Sequence, residues 1–243
     1  MFNGFPLQLF DFMNGLYHNN SKIWFNENCD IYEKIVKPTV RDLVSALAPF
    51  IKILNQNLET SPKFNKTIGR LHNDTRFHKN KPPHKNYIFI SFPKEGRRWS
   101  DAPFLYLAIH RSGIYVGFWS GDGKQFNPAD WQKRLLKNST SFKNFLRKNH
   151  ILQSYFTFGD SKEDGPGKLK AIQPDFDYWL KLANVSIGNF YPREDKLLFG
   201  KEVIKTTVYN LFDLYPLYIF QTSPAIEADL MEYFEKKENF KFF

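Results

Sequence analysis

The chain has 243 residues, of which 42% are apolar and 18% are aromatic, so it has enough apolar side chains to build a packed core. Its 34 Lys and Arg residues exceed its 25 Asp and Glu residues, and the resulting net charge of +9 favours anionic partners such as nucleotides, nucleic acid or acidic surfaces. The longest apolar run, residues 214–220, is much shorter than the roughly 20 residues that cross a bilayer, so no membrane-spanning helix is expected.

The first quarter of the chain is predicted to be helical. Apolar residues recur every three or four positions over residues 7–17, which is typical of a helix with one buried face. The polar residues 19–21 end this helix and cap the next one. From residue 22 to about 57 the same spacing predicts two helices that meet at Pro38, a residue that suits the first turn of a helix or a kink.

The middle of the chain is predicted to form β-strands. Four runs rich in β-branched and aromatic residues are separated by turn residues, at 67–72, 86–92, 104–110 and 113–119. The last two runs are expected to form a hairpin across Arg111, Ser112 and Gly113.

Helices return in the last part of the chain. Asn127 and Pro128 predict a helix start, and the helix to His150 is expected to be interrupted near residues 138–139. A polar loop at 158–168, a short strand at 185–191 and helices around 200–214 and 225–237 follow. We therefore predict a single α+β domain over residues 1–243, in which helices pack on a mainly antiparallel sheet.

The last predicted helix carries one apolar stripe, formed by Ile226, Leu230, Met231 and Phe234. Such a stripe needs a partner. We expect the segment 224–243 to pack on its own domain, and the alternative is a docking surface for another protein.

The cellular setting follows from cysteine usage and from the first residues. Cys29 is the only cysteine, so an intramolecular disulfide and a thiolate metal cluster are excluded. The first residues lack the basic region of a secretory signal, and Asp11 interrupts their apolar residues. We expect a reducing, cytoplasmic location.

The strongest functional signal is a basic segment, residues 70–85, which we call the basic loop. It contributes five positive charges and a single acid, Asp74. The consecutive prolines Pro82 and Pro83 stiffen it before any ligand binds. The arginines offer forks of N–H donors to a phosphate or carboxylate, and the lysines supply point charges. The candidate ligand-binding residues are Arg70, Arg76, Lys79, Lys81 and Lys85. Alternatively, Asp74 pairs with Arg70 or Arg76 and the lysines face water.

Histidines in the basic loop suggest two further kinds of chemistry. His72 and Asp74 are weak candidates for a general acid/base pair, in which the carboxylate holds the imidazole tautomer. Together with His78 and His84 they also suggest a metal site, but no recognised ligand spacing supports one and the nearby cations oppose it. No metal and no cofactor are therefore expected.

A second motif, residues 19–25 followed by Tyr32, precedes the basic loop. Most of it is explained by helix capping through Asn20 or Ser21 and by inward packing of Trp24 and Phe25. The alternative is a ligand-stacking aromatic residue or an exposed Asn beside the basic loop.

Together these motifs resemble an uncharacterised bacterial and fungal family called domain of unknown function 2461, over residues 5 to about 221. The residues that match its most specific segment are Arg70, Asp74, Arg76, Phe77, Lys79, Lys81, Pro83 and Lys85. The resemblance implies a single-domain fold and a site at the basic loop, and the family brings no established activity or cofactor.

Three functions remain open at this point. The preferred hypothesis is binding of a phosphorylated ligand, a nucleotide or nucleic acid, through the basic loop. The first alternative is a phosphoester-processing or group-transfer enzyme in which His72 and Asp74 move a proton. The second alternative is a structural or protein-interaction module.

Overall fold

The computed structural model describes residues 1–74, 81–97, 101–121, 126–148, 156–158, 169–171 and 175–240, with the main chain alone for the two shortest ranges. Nine α-helices lie within these ranges: α1 Leu7–His18, α2 Lys22–Glu27, α3 Cys29–Ile31, α4 Lys37–Leu54, α5 Pro128–Lys137, α6 Ser139–Lys148, α7 Phe176–Leu180, α8 Glu202–Thr222 and α9 Ile226–Asn239. A π-helical turn, Tyr32–Val36, joins α3 to α4, and a short 3₁₀ helix, Lys196–Phe199, precedes α8.

Six described strands form one antiparallel sheet in the order β1-β2-β3-β6-β4-β5. Their bounds are β1 Tyr87–Phe92, β2 Phe104–His110, β3 Gly113–Trp119, β4 Phe156–Phe158, β5 Leu169–Ala171 and β6 Ser186–Pro192. In the register, Tyr87 lies opposite His110 and Gly113 opposite Pro192. The predicted α+β class and the antiparallel sheet are confirmed.

Most sequence-predicted elements lie where they were expected. The hairpin at residues 111–113, the break between α5 and α6 and the strand near 185–191 are confirmed. The run at 67–72 is not a continuous strand, because it makes only isolated bridges to its neighbours. The predicted polar loop at 158–168 lies, after Phe158, outside the described residues.

The hydrophobic core lies between one face of the sheet and the helices. Helix α8 crosses β2, β3 and β6, and the sheet contributes inward side chains such as Leu107, Val116 and Ile187, all fully buried. The opposite face carries a second cluster, in which Phe104, Tyr106 and Tyr115 are buried; Phe89, Trp119 and Phe190 pack against it. None of the helices in the described ranges is long and apolar enough to cross a membrane.

Helix α8 is longer than predicted because it continues through Pro216 to Thr222. A proline has no N–H, so the carbonyl group of Phe212, four residues earlier, loses its helical partner. The hydroxyl group of Tyr233 in α9 donates a hydrogen bond to this carbonyl oxygen at 2.8 Å. The last helix therefore completes the hydrogen bonding of the proline-containing helix.

Further contacts fix α9 on the domain. Ile226 and Leu230 are buried, and Lys237 pairs with the buried carboxylate of Asp213 in α8 at 2.7 Å. Met231, predicted to belong to the apolar stripe, is instead 74% exposed. Tyr233, three residues after Leu230, faces the domain instead, and the predicted stripe did not include it.

Adjacent residues of α9 give a matched test of this packing. Leu230 is 4% exposed and Met231 is 74% exposed. We expect Leu230→Ala to lower the free energy of unfolding by about 2 to 4 kcal/mol, because it leaves a cavity in the core. Met231→Ala should change it by less than about 0.5 kcal/mol. Urea unfolding measures both values, and equal small effects would show that α9 does not pack on the domain in solution.

Candidate functional site

The start of the basic loop is fixed at the edge of the sheet. Just before it, the main-chain N–H of Gly69 donates to the carbonyl oxygen of Phe89 at 2.7 Å, and the N–H of Ser91 donates to Thr67 at 2.9 Å. These bonds cover part of the outer edge of β1. Arg70 follows directly and its side chain is exposed. The loop therefore begins from a fixed point of the sheet.

The two ends of the basic loop pair with each other. The N–H of Lys85 donates to Leu71 at 2.7 Å, and the N–H of Asn73 donates to Pro83 at 2.9 Å. The side-chain amide of Asn73 adds a bond to the carbonyl oxygen of Pro82 at 2.8 Å. Proline has no N–H to donate, and both prolines take part in this short antiparallel ladder as acceptors, through their carbonyl oxygens. It closes the base of the loop.

Asn20, in the turn between α1 and α2, holds this base in place. Its side-chain amide donates to the carbonyl oxygen of His84 at 2.8 Å and accepts from the N–H of His84 at 3.0 Å. One amide side chain thus pairs with both main-chain groups of a residue 64 positions away. The predicted cap of α2 is confirmed, since the hydroxyl group of Ser21 accepts from the N–H of Trp24 at 3.1 Å.

Two histidines of the loop base pack against Phe25 of helix α2. The ring of His84 lies parallel to Phe25, with 4.4 Å between centroids, and the ring of His72 is 5.1 Å from Phe25 and 4.8 Å from His84. His84 is only 2% exposed, whereas His72 is exposed. Burial, followed by the charges of His72 and Lys22, lowers the pKa of His84 to about 4. Burial and Lys37 also lower the pKa of His72. Both imidazoles are therefore neutral at pH 7.

The predicted ligand-binding residues differ in their surroundings. Arg70 and Lys81 are exposed, and no ion pair joins either of them to a carboxylate within the described ranges. Lys85 is partly buried, which lowers its pKa, and its Nζ lies 6.0 Å from the centre of the Tyr87 ring. Arg76 and Lys79 lie outside the described residues.

The weak catalytic candidates are close together at the loop base. Asp74 is exposed, two residues after the histidine with which it was paired by sequence. His78 lies outside the described residues. Among the residues that the structure describes, no three His, Cys, Asp or Glu side chains come together as a metal site.

The sequence did not point to Arg111, a further cation near this site. Arg111, in the β2–β3 turn, stacks its guanidinium on the ring of Tyr17 from α1 at 4.0 Å, and its Nη1 lies 3.4 Å from the side-chain oxygen of Asn14. The hairpin prediction placed Arg111 in a turn, but only the sheet register shows that this turn lies at the same end as Lys85. No local pattern contains that information.

The family comparison covers the whole of this arrangement. A family model described as "Conserved hypothetical protein (DUF2461)" matches residues 8–220. The chain belongs to this family. The match includes Asn20, the basic loop and Arg111 and stops within α8, so α9 lies beyond the matched region. A search of curated proteins finds no match.

The Asn20 contact gives a direct test of how the loop base is held. Asn20→Ala removes the partners of two main-chain groups, and we expect it to lower the free energy of unfolding by about 1 to 3 kcal/mol. The side chain of the neighbouring Asn19 is exposed, and its amide donates to the carbonyl oxygen of Gly15 at 3.2 Å, at the end of its own helix. Asn19→Ala is therefore the matched control. Chemical unfolding of both variants is the measurement, and a cost for Asn20→Ala no larger than that of the control would contradict the contact.

The histidine pKa values predict how stability depends on pH. His84 and His110, the latter through burial, have pKa values of about 4 in the fold, whereas a histidine in an unfolded chain titrates near pH 6.5. Between these values the unfolded state binds more protons, so stability is fully present above about pH 6.5 and is lost as the pH falls towards about 4.

The variant His84→Gln tests this origin of the pH dependence. It removes one imidazole and keeps the main-chain groups that pair with Asn20. Its melting temperature should therefore fall less than that of the wild type between about pH 6.5 and pH 4. An identical fall in both proteins would exclude His84 as a source of the pH dependence.

Proposed function

We propose that the protein binds a phosphorylated ligand, a nucleotide or nucleic acid, at the surface of the basic loop. The observation that carries this proposal is how the loop is held. Its base is fixed by main-chain pairs and by the neutral side chain of Asn20, and Arg70 and Lys81 take no described part in that pairing. The charges of Arg70 and Lys81 are therefore not needed to hold the base of the loop.

This arrangement weighs against a purely structural role for Arg70 and Lys81. Of the two ion pairs that a structural role for the loop charges could use, Asp74 with Arg70 is not formed within the described ranges, and Asp74 with Arg76 involves a residue outside them. The ladder and Asn20 already fix both ends of the loop. Because the main chain at the base of the loop is already ordered, binding of an anion by Arg70 or Lys81 does not have to order it, which favours affinity.

The chemistry of the exposed groups favours phosphate. A guanidinium group binds two phosphate oxygens through a fork of N–H donors, and an ammonium group adds charge without fixed direction. His72 and His84 are neutral at pH 7, so Arg70, Lys81 and Lys85 supply the positive charge of the described part of the basic loop. The overall charge of +9 acts in the same direction at longer range.

A second candidate function is the processing of a phosphoester with His72 as the proton acceptor. The observation that favours it is an exposed imidazole with a lowered pKa at the base of the same loop. A neutral imidazole accepts a proton at pH 7, as a general base must. Release of phosphate or a nucleoside during the binding measurements below would favour this function over binding alone.

Variants that each remove one positive charge from the basic loop test the proposed binding. We expect Arg70→Gln and Lys81→Gln each to weaken binding of a labelled nucleotide or a labelled single-stranded oligonucleotide several-fold. With the oligonucleotide, each should reduce the salt dependence of log K by about 0.7 because one phosphate contact is lost. Fluorescence anisotropy at several salt concentrations measures both effects.

The controls remove the same charges elsewhere. Lys133→Gln in α5 and Arg147→Gln in α6 change exposed side chains on other helices. These two variants should bind the probes like the wild type. Equal losses in all four variants would show that only net charge matters, and wild-type protein that binds neither probe at low salt would refute the proposal.

A further inference from the structure

The β2–β3 turn brings a second set of donors to the end of the sheet where the basic loop ends. Strands β1 and β2 are antiparallel, with Tyr87 opposite His110. Lys85 precedes β1 by two residues, and Arg111 follows β2 directly. Both cations therefore lie at the same end of the sheet. The end of α1 lies beside both, because Tyr17 contacts Arg111 and Asn20 contacts His84.

The guanidinium group of Arg111 is held firmly but is not neutralised. It stacks on Tyr17 at 4.0 Å, and Asn14 accepts from Nη1 at 3.4 Å, near the limit for a hydrogen bond. No carboxylate in the described parts of the chain pairs with it. Its Nε is buried without a hydrogen-bond partner, and so is the hydroxyl oxygen of the adjacent Ser112. Two neighbouring buried donors thus lack acceptors, which is uncommon in folded proteins.

A nearby arginine shows the usual structural arrangement. Arg193 donates from Nη2 to the carboxylate of Asp11 at 3.0 Å, and its main-chain N–H donates to the carbonyl oxygen of Ser112 at 2.8 Å. Arg193 thus reaches the same turn, and its charge is paired. An arginine at this end of the sheet can therefore pair with a carboxylate, and within the described residues Arg111 does not.

We propose that Arg111 and Ser112 form an anion subsite that binds a phosphate group of the ligand. This inference rests on the proposed function and adds a second contact region to the basic loop. A phosphate oxygen supplies the acceptor that each donor lacks. Because Asn14 uses Nη1, the edge formed by Nε and Nη2 is the one that can bind an oxyanion as a fork.

The ring of Tyr17 prepares the guanidinium for this role. Stacking restricts the plane of the group, so less freedom is lost on binding than for a mobile surface arginine. Because Nε is buried, the proposed contact requires the side chain to rotate until Nε is exposed to the oxyanion. The competing explanation is structural, namely that Arg111 serves only to pack against the C-terminal end of α1.

Titration with inorganic pyrophosphate and with ATP, followed by calorimetry, tests the subsite. We expect Arg111→Gln to weaken both probes by about tenfold or more, because a charge-assisted fork is lost. Arg111→Lys keeps the charge and should still bind more weakly than the wild type, and Ser112→Ala should show a smaller loss. Arg193→Gln is the control, and it should lower the melting temperature and leave both affinities unchanged.

The outcomes separate this inference from the proposed function. If Arg70→Gln weakens binding and Arg111→Gln, Arg111→Lys and Ser112→Ala all bind like the wild type, the subsite is wrong and the basic loop stands. If the wild type binds neither pyrophosphate nor ATP at low salt, the subsite is wrong, and binding of the labelled oligonucleotide then decides the proposed function. Should Arg111→Gln fail to fold, Arg111→Lys and Ser112→Ala decide, because they keep the charge and the guanidinium respectively.

Discussion

The packing of α8 across the central strands is the constraint on which the rest of the structure depends. This helix is buried along most of its length, and it contacts the sheet, α4, α5 and α9. Apolar side chains cover both faces of the central strands, one face under α8 and the other in the cluster around Tyr106 and Tyr115, so the charged groups of the candidate site lie at the edge and the ends of the strands. The basic loop starts at the β1 edge, and Arg111 lies in a turn at the end of the same strands.

Around this framework, the candidate site is built from three segments that are far apart in sequence. The turn after α1, the ends of the basic loop and the β2–β3 turn meet at one end of the sheet. Neutral groups do the holding, through the amide of Asn20 and the rings of Phe25 and Tyr17. Arg70 and Lys81 are exposed, whereas Lys85 and Arg111 are partly buried. Because neutral groups hold the segments together, the exposed cations are not needed for ion pairs within the fold and can keep their positive charge at the surface.

Elements that depend on local patterns were predictable from the sequence, and contacts that depend on register were not. The cap at Ser21, the break near Asn138 and the hairpin at Arg111 follow from residue types and spacing. The pairing of Asn20 with His84 joins residues 64 positions apart, and nothing local in either segment encodes it. The length of α8 was underestimated because the rule that proline ends a helix ignores an outside hydrogen-bond donor. The sequence thus predicts a candidate site at the basic loop, but it does not predict the contacts that hold the loop in place.

The proline within α8 has a consequence for how this chain can vary. The carbonyl oxygen of Phe212 is left open by Pro216 and is satisfied by a hydroxyl group from a helix outside the family-matched region. Pro216 and Tyr233 are therefore linked through this carbonyl group, because the proline removes its helical donor and the tyrosine supplies another. A relative that lacks the α9 segment is expected to have another residue at position 216 or a different donor at that carbonyl, so the two positions should change together.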